Sequence, residues 1–147
     1  MFRVRQDPDS GLIIGLLYER FSRDEIVREI ERAYRRELTR PRQNRLMVID
    51  PHIDLTTVPV GDLAEIQTTV AQLETATTSW SPLLSVFHGT RESIGLALQI
   101  YEMLWEREPY VQGRFFHTES LVIAEQLLGV EGLEARIAAM AEQPPSG

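Results

Sequence analysis

The chain has no cysteine and no lysine, and only three histidines in 147 residues. Without cysteine there is no disulfide framework, no thiolate metal ligand and no cysteine nucleophile. Without lysine, Schiff-base and lysine-nucleophile mechanisms fall away, since all fifteen basic residues are arginine. Long apolar runs are missing as well. Nothing approaches the ~20 residues that cross a bilayer as a helix, and the opening Met1-Phe-Arg-Val-Arg-Gln-Asp lacks a signal-peptide core. These absences predict a soluble, cytoplasmic protein without a transmembrane segment. The net charge of −7 argues against nucleic acid as a partner, because phosphate backbones are held by basic faces.

What is present suits one folded domain, with 43% hydrophobic and 25% charged residues. The basic residues are crowded toward the start: residues 1–45 carry eleven arginines against eight carboxylates, and 46–147 carry four against fourteen. Arg35, Arg36, Arg40, Arg42 and Arg45 read as a solvated helix end and loop, or alternatively as a patch for an acidic partner or a membrane surface.

Hydrophobic periodicity supplies the elements. A strand over 2–6 leads through the turn Asp7-Pro-Asp-Ser-Gly11 into a second strand over 12–18, an opening hairpin. Ser22-Arg-Asp-Glu25 is a capping box, with Phe21 and Ile26 as its hydrophobic staple, for a helix reaching about Leu38. Strands follow over 46–49, 83–87 and 111–116. Helical stripes run through Leu63, Ile66, Val70 and Leu73, through Ile94, Ala97, Leu98, Tyr101, Leu104 and Trp105, and through Leu121, Ala124, Leu127 and Leu128. Written compactly as ββαβαβα(α), this predicts an α/β domain over 1–130 with a mixed, largely parallel sheet of about five strands. A C-terminal amphipathic helix over 131–143, carrying Leu133, Ile137 and Met140, precedes a disordered tail over 144–147.

Asp7-Pro-Asp-Ser-Gly11, Ser22-Arg-Asp-Glu25, Ile94-Gly-Leu-Ala-Leu-Gln-Ile-Tyr-Glu102 and Arg114-Phe-Phe-His-Thr-Glu119 carry a resemblance over residues 2–129. The chain resembles the STAS-type fold of anti-sigma-factor antagonists, especially the STAS/Sec14-like small bacterial proteins. The resemblance implies a regulatory role through protein contact, and its Sec14-like side implies a lipid or membrane surface. In antagonists of this kind a serine in an Asp-Ser-Ser-Gly-like stretch is the phosphorylation switch. Pro59-Val-Gly-Asp62 stands there instead, so that switch does not transfer. Thr56 and Thr57, just upstream, could cap the helix or place a phosphate near its N-terminus.

His52, His88 and His117 each follow an apolar run that reads as a strand, on the rim where open α/β folds place ligands. Asp50, His52, Asp54, His88 and His117 could therefore converge as metal ligands if their strands are neighbours. No standard motif such as His-Glu-x-x-His accompanies them, and solvation or capping explains them equally. The turn with Gly89, Thr90, Arg91 and Ser93 could hold an anion at a helix N-terminus, with Thr90 as a plain cap the competing role. No serine sits in a Gly-x-Ser-x-Gly elbow.

The sequence thus predicts a non-enzymatic regulatory or protein-interaction module with no cofactor. Its contact candidates are His52, Asp54, Thr56, Thr57, Asp62, His88, Thr90, Arg91 and Ser93. The partner is a protein, or a second copy of the chain if the terminal helix finds nothing else to cover. The alternative is a small-molecule or metal-binding protein, possibly an enzyme, using the histidine and aspartate rim.

Overall fold

The computed structural model describes residues 1–39, 43–75, 83–106 and 113–143. Strands β1 (Phe2–Gln6), β2 (Ile13–Leu17), β3 (Arg45–Ile49), β4 (Leu83–His88) and β5 (Gly113–Thr118) form one sheet in the order β1-β2-β3-β4-β5. β1 runs antiparallel to β2, and the remaining pairings are parallel. The helices are α1 (Arg23–Arg32), α2 (Val60–Thr75), α3 (Arg91–Ile94), α4 (Ala97–Trp105), α5 (Leu121–Leu128) and α6 (Leu133–Glu142). With α3 and α4 counted as one interrupted helix the order is ββαβαβαβαα. The compact string, with four strands, is one βα unit short, although each of the five strands named from the sequence forms. Among the described residues no helix is long and apolar enough to cross a membrane. Arg40, Arg42, the start of the strand expected from 111 and the tail over 144–147 lie outside the described residues.

Local chemistry sets the first elements. The Asp7 carboxylate accepts the Ser10 N–H at 3.0 Å and its hydroxyl at 2.5 Å, and Gly11 closes the hairpin at φ +79°. Ser22 accepts the Glu25 N–H at 3.4 Å, which forms half of the capping box. The Glu25 carboxylate turns to Arg20 at 2.5 Å instead of closing the other half. The expected single helix to residue 38 ends its α-form at Arg32 and continues as a π-turn segment, Ala33–Glu37, capped by the Leu38 N–H on Ala33 O. The helix expected through Ile94 and Trp105 is also broken. Gly95, at φ +49° and ψ −134°, ends α3 before α4 begins.

Side-chain parity divides the core between the two faces of the sheet. Leu17, Ile49, Phe87 and Phe115 lie on the first face beneath Ile26 and Ile30 of α1, Leu63, Ile66 and Val70 of α2, and Ala97, Leu104 and Trp105 of α4. Ile14, Leu16, Leu46 and Val86 lie on the second, under Ala124 and Leu128 of α5 and Leu133 and Met140 of α6. β2 is therefore buried along its whole length, as its unbroken apolar run requires.

The terminal helix finds its cover on its own sheet. Leu133 is fully buried, Met140 is 4% exposed and Ile137 packs beside them, so α6 gives no reason for a second copy of the chain. Polar contacts fix it in place. Arg136 bridges Asp7 at 2.6 Å and Asp9 at 3.1 Å, and Arg3 donates to the carbonyls of Gln143 at 2.8 Å and Ala141 at 3.4 Å. Burial works to raise the Asp7 pKa, but the Ser10 hydrogen bonds and Arg136 outweigh it and hold the carboxyl below its usual 3.8. A depressed carboxyl stabilises the fold above its unfolded pKa, and that contribution disappears as pH falls through the folded value. Asp7→Asn is expected to lower stability at pH 7, with the deficit narrowing below pH 3.8. Urea unfolding of both chains across pH 7 to 3 measures this, and a deficit independent of pH would contradict the assignment.

Candidate functional site

The three histidines do not converge, and the pleat is the reason. His88 and His117 lie inside β4 and β5, not beyond their ends as the apolar runs predict. The register pairs Phe87 with His117 and His88 with Thr118, so the two histidines are one residue out of step and face opposite sides of the sheet. His117, on the first face, meets Gly89 O through Nε2 at 2.8 Å. His88 faces the second. His52 is exposed on the turn after β3. Among the described residues no group of three or more histidine and carboxylate side chains is placed to hold a metal ion.

The strand-end carboxylates and hydroxyls are engaged in building the loops. Asp50 accepts the His52 N–H at 2.8 Å. Asp54 caps a short 3-10 turn, Leu55–Thr57, by accepting the Thr56 N–H at 2.9 Å and its hydroxyl at 2.5 Å, and the Thr57 hydroxyl donates to Asp54 O. Thr56 and Thr57 thus lie within this turn, which Asp54 caps, and the Asp62 and Leu63 N–H groups in the first turn of α2 bond to Pro59 O instead. Asp62, at the start of α2, pairs with Arg23 at 3.4 Å.

The loop after β4 is braced against this one. Thr90 accepts the Ser93 N–H at 3.1 Å as the cap of α3, and the hydroxyl of Ser93, a residue 2% exposed, donates to Pro51 O at 3.0 Å. The Arg91 N–H, the donor an anion would need, is already taken by the Glu119 carboxylate at 2.6 Å. Gly89 admits a close approach, but the approaching atoms are Ile49 O and Ile94 Cδ1, each 3.2 Å from where a Cβ would stand. Of the candidates, Thr56, Thr90 and Ser93 are therefore gathered into one braced structure. His52, Asp54 and Thr57 are exposed above it, and the Arg91 side chain is exposed beside it.

Because the strand order never reverses, the rim has no switch-point crevice. What it has is a groove of about 740 Å3 bordered by Arg3, Tyr18, Asp50, His88, Thr90 and Glu119. Arg3 and Glu119 escape a motif search, because β1 and β5 bring them in from the sheet's two edges. Among the described residues Arg3 Nε and His88 Nδ1 are buried without a hydrogen-bond partner. Burial lowers the His88 pKa from 6.5 and His117 adds to this, against a raising contact with the Thr118 backbone. The ring is held neutral at pH 7.

The arginine run needs a correction. Arg45 is not part of a solvated basic surface. It opens β3 on the first face, and its guanidinium is paired with Glu74, whose side chain is 1% exposed. The Tyr34 hydroxyl donates to the same carboxylate at 2.8 Å. Burial pushes the Tyr34 pKa up. For Arg45 burial works downward, but Tyr34 and Glu74 outweigh it, so the arginine stays charged. Arg35 and Arg36 remain exposed, with Arg35 paired to Glu31 at 3.4 Å.

The brace makes a testable contact. A Cβ on Gly95 would stand 2.3 Å from Thr56 Cγ2, at a backbone angle that L side chains rarely adopt. Gly95→Ala is expected to destabilise the fold by about 1–3 kcal/mol, and adding Thr56→Ser should recover part of that by removing the methyl. Additive effects in urea unfolding would show that the two loops do not touch. No family model, curated protein or solved structure matches the chain.

Proposed function

We propose that the chain is a non-enzymatic regulatory or protein-interaction module, resembling the STAS-type antagonists but without their acceptor serine. Its contact surface is the loop and helix start over 52–62, with the turn over 88–93 beside it. One observation carries this reading. The carboxylates and hydroxyls of the 50–57 loop are engaged in its own turns, the Ser93 hydroxyl ties the next loop to it, and the resulting platform presents His52, Asp54, Thr57 and Val60 to solvent. Val60 is 53% exposed at the first position of α2, an apolar anchor among polar groups. A pre-shaped surface of this kind loses little conformational entropy on docking.

A second reading rests on the rim groove. Its two buried unpartnered nitrogens, Arg3 Nε and His88 Nδ1, support small-molecule binding there, with His88 neutral and Arg3 the cation.

The first reading is tested by a photo-crosslinking residue placed at Thr57 or Val60 in cells of the native host, with exposed Ala135 on α6 as the control. One discrete adduct from positions 57 and 60 and none from 135 is expected, and an adduct of twice the chain mass would identify a second copy. No adduct from 57 or 60, or the same adducts from 135, would contradict this surface.

A further inference from the structure

The first face of the sheet does not pack solidly against its helices. Between them lies a cavity of about 150 Å3, walled by apolar side chains from β1 to β5, α1, α2 and α4. Native cores have few voids larger than a water molecule, so a space of this size invites an occupant. Register shows how it arises. Ile13, Arg45, Ser85 and Phe115 form one row across neighbouring strands, and Ser85 is the smallest side chain of that row. Aromatic rings stand at one end. Tyr101 lies 5.9 Å from Phe115 and 6.2 Å from Phe87 between ring centroids, and Trp105 lies 6.3 Å from Phe115.

Two polar atoms at the cavity wall are unsatisfied. Among the described residues neither Arg45 Nε nor Trp105 Nε1, both buried on residues that line the space, makes a hydrogen bond of good geometry, although the Tyr101 hydroxyl lies within reach of the indole. Trp105 is 6% exposed. Its indole and the arginine guanidinium only donate, so the group missing from this cavity is an acceptor. Charge restricts it further. The Arg45 cation is already balanced by Glu74, and a second carboxylate would enter as an uncompensated buried charge. Size restricts it again, since an apolar cavity of about 150 Å3 holds one benzene ring.

We propose that this cavity is a binding site for a neutral, single-ring aromatic molecule bearing one hydrogen-bond-accepting oxygen. The ring occupies the space beside Phe87, Tyr101 and Phe115, and the oxygen accepts from Trp105 Nε1. The site is separate from the rim surface, and its test does not depend on that reading.

The test uses the full chain, labelled with 15N, and three probes: phenol, toluene and benzoate. Phenol is expected to bind saturably with one site and at least as tightly as toluene, moving the Trp105 indole proton downfield, while benzoate does not bind. Trp105→Phe, which also assigns that resonance, should weaken phenol about tenfold, the worth of one buried hydrogen bond, and leave toluene unchanged. Ser85→Leu fills the row and should block both neutral probes. Should that variant fail to fold, nuclear Overhauser contacts from the phenol ring to Phe87, Tyr101 and Phe115 locate the probe in the unaltered chain. The proposal is overturned if phenol does not saturate, if toluene binds while phenol is excluded, if the Trp105 indole does not respond, or if folded Ser85→Leu binds phenol as the unaltered chain does.

Discussion

The winding of the sheet is the constraint on which the rest of the structure depends. From β2 to β5 each strand pairs with the next in sequence, and crossovers between parallel strands are right-handed in about 98% of cases. A sheet that advances in one direction with one handedness puts each crossover helix on the same side. α1, α2 and the α3–α4 pair accordingly share the first face, and Ile14, Leu16, Leu46 and Val86 are left on the other. That second face has no crossover to cover it. α5 and α6, which follow the last strand, do so, and the bridges from Arg136 to Asp7 and Asp9 hold the final helix across the opening hairpin.

The same constraint shapes the carboxyl rim of the sheet. A sheet without a reversal has no crevice at its carboxyl rim, so chemistry-bearing residues there are spread along a line of loops. The loops after β3 and β4 are tied together through Ser93 and Pro51 and through Thr56 against Gly95, which makes the rim a braced platform. The groove that does exist depends on α6 and β1 arriving at the strand ends, since Arg3 anchors the helix terminus and borders the groove at once. Packing of the second face and shape of the rim are thus coupled.

Much of this was legible in the residues. Apolar periodicity located the five strands, and Asp7, Ser22 and Thr90 act at the turn and caps their types predict, because such contacts are local in sequence. Gly95 broke the helical stripe expected from Ile94 to Trp105, and its cause is a backbone angle and a contact with Thr56 that periodicity does not register. The histidines misled because their similar spacing after apolar runs says nothing about pleat parity, which depends on where each strand is paired. Arg45 was misplaced for a related reason. Counting charge put it in a basic run, whereas parity with Met47 and Ile49 puts it on the first face. Glu74, four residues after Val70 on the buried stripe of α2, was the sequence signal for its partner. The cavity had no sequence signal, since it is defined by what a row of four strands fails to fill.

The interior and the rim make different demands on the fold. At the rim the turns at Asp50 and Asp54 are satisfied locally, while Ser93 and Glu119 reach across to neighbouring loops. In the core Arg45 is paired with Glu74, while its Nε and the Trp105 indole N–H have no hydrogen bond of good geometry among the described residues. Both arrangements presuppose that the second face is closed independently by α5 and α6. Removing residues 131–147 tests that claim most directly. The account expects the shortened chain to bind a hydrophobic dye and to lose its single cooperative urea transition, because Leu16, Leu46 and Val86 lose part of their cover. A shortened chain that stays dye-free and unfolds at the midpoint of the full chain would contradict it.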